Sequence, residues 1–70
     1  MTENNIISKK LKSLRKELNE SQSEFAYNCG ISTETVSLIE RMKVNPNLDT
    51  LQKIAAYTGT TVSELLEIEE

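Results

Sequence analysis

Gly30 separates two short runs that each carry helical signals, and only Gly30, Ile31 and Ser32 lie between those runs. A connection that short forces the chain to reverse within one turn. Glycine has no Cβ, so it takes positive φ without steric penalty, ends the first run and aims the second across it. Ile31 then turns inward, and the Ser32 hydroxyl accepts from backbone N–H groups to restart a helix. Any fold of this chain has to be built around that corner.

The rest of the chain supplies three more helices. Ile7, Leu11, Leu14 and Leu18 form a stripe at helical spacing, with Lys9, Lys10, Lys12 and Lys16 on the other faces, which predicts a helix over about 5–18. Ser21 and Glu24 have the spacing of a capping box ahead of Phe25, Ala26 and Cys29, so a second helix spans about 22–29. Ser32 caps a third over about 33–41, with Val36 and Ile39 inward. In NPNLDTLQKIAAYTG, Asn47 is an N-cap, Asp49 suits the first-turn dipole, Leu51, Ile54 and Ala55 make the stripe, and Gly59 stops the helix. Thr61 and Glu64 form a second capping box before Val62, Leu65 and Leu66. No strand alternation, repeat or low-complexity linker is present. The expected fold class is all-α: one compact five-helix domain over 1–70, with 1–4 and 68–70 loosely ordered.

A chain of 70 residues buries only about 60% of its unfolded surface, so the core has to be economical. At 37% apolar it is too hydrophobic for disorder, and no run is long enough for a membrane span. The start MTENNII has no cationic segment, apolar stretch or cleavage site, so no signal peptide is expected and a cytoplasmic setting follows. Cys29 is alone and histidine is absent, which removes an internal disulfide and argues against metal sites and Cys/His catalysis. Two glycines cannot build a phosphate-cradling loop, and the carboxylates form no recognisable motif. No enzyme, no cofactor and no small-molecule substrate are expected. The net charge of −3 is unevenly spread: residues 1–43 carry +1 and residues 44–70 carry −4. A polyanion should meet the first part.

Two helices joined by a three-residue turn containing glycine describe a helix-turn-helix, whose second helix fits the DNA major groove. Ala26, four residues before Gly30, is small enough for close helix approach. Together QSEFAYNCGISTETVSLIER, LKSLRKEL, NPNLDTLQKIA and GTTVSELL resemble the lambda-repressor-like, or XRE, family of helix-turn-helix regulators over about 60 of the 70 residues. With Val36 and Ile39 inward, Glu34, Leu38 and Arg41 lie most nearly opposite, with Ser37 at the edge and Thr33 in the first turn. The resemblance makes Thr33, Glu34, Ser37 and Leu38 base-reading positions, with Ser32 at the start. Thr and Ser donate or accept, Glu34 could accept from a cytosine amino group, and Leu38 could pack on a thymine methyl. Without a bidentate Arg or Gln, specificity would lean on DNA shape. Gln22, with its amide and backbone N–H groups facing outward, and Arg41, Lys43 and Asn45 are the expected phosphate anchors.

The resemblance also implies a structural ion pair between Arg15 and Glu40. It departs from the family at Met42, where glycine is usual; a side chain there would cost about 1 kcal/mol in the αL conformation and could displace the loop. The resemblance further implies a homodimer on an inverted-repeat operator, with Ile68 and Tyr57 as candidate contacts because the stripes leave them, with Ile6, outside the core. The expected function is a small phage-, plasmid- or mobile-element-type repressor binding double-stranded DNA. The alternatives are an antitoxin or a protein-docking module of the same fold.

Overall fold

The computed structural model describes the backbone of residues 3–67 and the side chains of residues 6–67. Among these residues there are five helices and no strand: α1 (Glu3–Glu17), α2 (Gln22–Cys29), α3 (Thr33–Glu40), α4 (Leu48–Thr58) and α5 (Val62–Leu66). Of the ends expected to be loosely ordered, residues 1, 2 and 68–70 lie outside the described residues, and Glu3 and Asn4 begin α1. Ile68, the first candidate dimer contact, is outside them too.

Helices α2 to α5 each start where a polar side chain satisfies a free backbone donor. Ser21 and Glu24 exchange both bonds of a capping box, Thr61 and Glu64 do the same, and Asn47 Oδ1 accepts from the Thr50 N–H. Gly30 (φ 84°) closes α2: its N–H reaches the Ala26 and Tyr27 carbonyls, and the Ile31 N–H also reaches Ala26. This is the corner the sequence required. Across it Ile7 and Leu11 of α1, Phe25, Ala26 and Cys29 of α2, Val36 and Ile39 of α3, Leu51, Ile54 and Ala55 of α4 and Leu65 of α5 share one core. Burial, with the charge of Glu20, pushes the Cys29 thiol up to about 11, so it is a protonated packing group.

Two expectations about the core fail. Leu18, the fourth member of the α1 stripe, is 45% exposed. The helix has already ended: Asn19 turns left-handed (φ 56°), and the Glu20 N–H closes on the Arg15 carbonyl, which swings Leu18 off the buried line. Tyr57, expected outside the core as a dimer contact, packs against it instead. Its ring meets Phe25 edge-on at 5.6 Å. Its hydroxyl donates to Glu20 Oε2 at 2.6 Å and accepts from Asn28 at 3.1 Å. The phenol is therefore the tie between α4, α2 and the turn after α1. The hydrogen bond to Glu20, with burial, raises its pKa above the ordinary phenol value.

Candidate nucleic-acid interface

The two halves of α3 meet different surroundings. Its outward face starts at the N-terminal end: Ser32, Thr33 and Glu34 are exposed, while Ser37 and Leu38, a turn later on the same face, are half-buried. Val36 and Ile39 are fully buried. At about 100° per residue, Thr33, Glu34, Ser37 and Leu38 fall within roughly 140° of helix surface, on the side away from the core residues. Four of the expected base-reading residues thus share one face, with Ser32 at its start as the N-cap. Ser32, however, has its hydroxyl committed: it accepts from the Thr35 N–H at 3.0 Å and bonds the Thr35 hydroxyl at 2.7 Å. Beside this surface Tyr27, 85% exposed, and Ile31 line an open recess with Ser23, Glu24, Ser32 and Thr33, an aromatic feature that no motif in the sequence marks.

The C-terminal end is locked through Glu40. Glu40 is only 4% exposed, and both of its carboxylate oxygens accept hydrogen bonds. Arg15 forks onto its carboxylate, Nε to Oε2 at 2.7 Å and Nη2 to Oε1 at 3.1 Å. Burial opposes the charge, but the Arg15 and Gln22 hydrogen bonds, then the Arg15 and Lys12 charges, outweigh it and hold the Glu40 pKa below its ordinary value. The bond to Glu40 likewise raises the Arg15 pKa. Arg15 Nη1 also donates to the Glu20 carbonyl at 3.0 Å. The expected ion pair is present, and it links α1, α3 and the turn before α2.

One group in this cluster was not anticipated. Ser8, 2% exposed on α1, donates its hydroxyl to the Glu40 carbonyl at 2.6 Å and so caps a helix that starts 25 residues later. Nothing local in the sequence marks it, because its partner is chosen by packing.

Gln22 corrects an expectation. Its amide Nε2 donates to Glu40 Oε1 at 3.0 Å, so the side chain is turned inward at half-buried depth. The buried carboxylate still had capacity for a donor after Arg15, and the first residue of α2 stands within reach of it. On the other side of α3, Arg41 is exposed, with its Nε donating to the Ser37 carbonyl at 3.4 Å. Met42 keeps the left-handed conformation (φ 61°), with its N–H on Ile39 and the Lys43 N–H on Leu38. Met42 thus takes the left-handed conformation that glycine adopts freely, at the expected conformational cost. Lys43 and Asn45 follow, both exposed.

Among the described residues no group of three or more His, Cys, Asp or Glu is placed to hold a metal ion, and no helix is long and apolar enough to cross a membrane.

Comparison with known proteins agrees with this geometry. The family model described as helix-turn-helix matches residues 11–65. The HTH-type transcriptional regulator DdrOP3 of Deinococcus deserti is 40% identical over 58 residues, covering 83% of this chain and 45% of that protein. The cryptic phage CTXphi transcriptional repressor RstR of Vibrio cholerae is 31% identical over 65 residues, covering 93% of this chain and 59% of the relative. The chain thus spans about half the length of these curated relatives. In three dimensions it is similar to a hypothetical transcription factor, NHTF, from Neisseria: TM-score 0.86, 29% identity, 93% of this chain and 75% of that one.

Proposed function

Because the chain belongs to the XRE-type helix-turn-helix family, we propose that it is a sequence-specific double-stranded DNA-binding regulator, acting in the cytoplasm as a promoter-occluding repressor of phage, plasmid or mobile-element type. The observation that carries this reading is the division of α3: Glu40 is bonded into the core at one end, while one face away from the core carries exposed Thr33 and Glu34 and half-buried Ser37 and Leu38. A helix held so is presented rigidly enough to read base edges. The likeness to a phage repressor supports the mobile-element assignment.

In this reading Thr33, Glu34, Ser37 and Leu38 read bases. Ser32 fixes the helix start through its cap. Arg41, Lys43 and Asn45 anchor one backbone strand, and the backbone N–H groups at the start of α2, rather than the Gln22 amide, face the other. A homodimer on an inverted repeat, with half-sites about one helical turn apart, follows from the two-fold logic of the motif. No catalytic role is assigned to any residue. Selection from a randomised duplex library at near-physiological salt, followed by sequencing, tests the proposal. Enrichment of an inverted repeat is the expected result; uniform weak binding, or none, would reject sequence-specific regulation. Arg41→Ala and Lys43→Ala should each flatten the dependence of log K on log salt by about 0.9.

A further inference from the structure

The expected base-reading set contains no cation and one carboxylate, Glu34. Beyond it the α3 side supplies Arg41 and Lys43, and two phosphate contacts give a salt slope of only about −1.8 per protomer. A chain of net charge −3 needs more cations than that directed at the DNA.

They are found on α1. Lys9, Lys12 and Lys16 are exposed, and among the described residues none forms a salt bridge, whereas Arg15 is committed to Glu40 and Lys53 to Asp49 at 3.3 Å. At about 100° per residue the three lysines lie within roughly 60° of one another around the helix. No acidic side chain shares that strip; Glu17 falls on the other flank, with the half-buried Lys10. The strip also has a definite position. Arg15, one turn after Lys12 and next to Lys16, bonds Glu40, which in turn bonds Gln22, the first residue of α2, and the Lys12 charge helps to lower the Glu40 pKa. The C-terminal part of the strip therefore flanks the cluster that joins α1 to the start of α2 and the end of α3.

We infer that Lys9, Lys12 and Lys16 form a second phosphate-gripping strip, which carries the larger share of the electrostatic affinity for DNA backbone. The inference rests on the DNA-binding reading above. It raises the phosphate contacts per protomer to five and the expected slope to about −4.5. The strip is blind to sequence, so it strengthens binding to every duplex alike.

The test is fluorescence anisotropy on a labelled duplex of mixed sequence, titrated from about 50 to 200 mM salt. It compares the wild type, the triple variant Lys9→Gln/Lys12→Gln/Lys16→Gln, and Lys10→Gln, with thermal melts verifying that each is folded. The triple variant should lose about 2.7 units of slope and Lys10→Gln essentially none. If the wild type binds and the triple variant keeps its slope, or if Lys10→Gln loses as much per lysine, the strip is overturned while the DNA-binding reading stands. If the folded wild type shows no salt-dependent binding to any duplex, that reading fails and the strip falls with it.

Discussion

The two ends of α3 use similar side chains for opposite purposes. Glu34 and Glu40 are both carboxylates on one eight-residue helix. Glu34 is exposed; Glu40 is buried and takes three side-chain hydrogen bonds, from Arg15 Nε, Arg15 Nη2 and Gln22 Nε2. The contrast teaches that residue type does not assign the role of a charge in a small domain. What assigns it is whether other elements converge on that position. α1, α2 and the turn between them converge on Glu40, whereas Glu34 stays exposed.

The contrast breaks most visibly at Glu40. Glu40→Ala leaves the Arg15 guanidinium uncompensated and should cost about 3–5 kcal/mol, read as a lowered denaturant midpoint; a midpoint near wild type would remove the pair as an anchor. The same site predicts a pH dependence. A carboxylate whose pKa is lower folded than unfolded contributes its full stability above the unfolded value of about 4.3 and loses it as pH falls through the folded value. The stability gap between wild type and Glu40→Gln should therefore narrow as the medium is acidified from neutral to below that value, and a constant gap would contradict the charge-based account.

Ser8→Ala tests the cap on the same end. It leaves the Glu40 carbonyl without its side-chain donor and should cost about 1–3 kcal/mol in chemical denaturation. A smaller effect of the opposite sign is expected just past the helix. Met42→Gly removes a Cβ from a left-handed position and should stabilise by about 1 kcal/mol. No gain in the midpoint would mean that the Met42 side chain, half exposed though it is, makes compensating contacts.

These positions also mark how far the sequence could be read. Helix starts and stops were legible because caps are local: Ser21 with Glu24, Asn47 with Thr50 and Gly30 with Ala26 are separated by three or four residues. The Arg15–Glu40 pair was legible only through family resemblance. Ser8 to Glu40, Gln22 to Glu40 and Tyr57 to Glu20 span 32, 18 and 37 residues, and no periodicity encodes such partners. Leu18 misled for a related reason. Its spacing continued the stripe, but the left-handed turn at Asn19 decided where the helix ended. On the interface, the outward set on α3 followed from helix geometry, whereas the inward turn of Gln22 depended on a buried carboxylate contributed by another helix.

The smallest effect on stability belongs to the exposed end, and it gives the most direct test. Glu34→Ala should change stability by no more than about 0.5 kcal/mol. The decisive measurement is duplex-library selection run in parallel on wild type and Glu34→Ala, with both proteins verified as folded. The account predicts that the wild type enriches an inverted repeat and that the variant relaxes preference at one or two positions in each half-site, leaving the rest unchanged. The same enriched site from both proteins, with undiminished preference at every position, would contradict the claim that the exposed end of α3 reads DNA through Glu34.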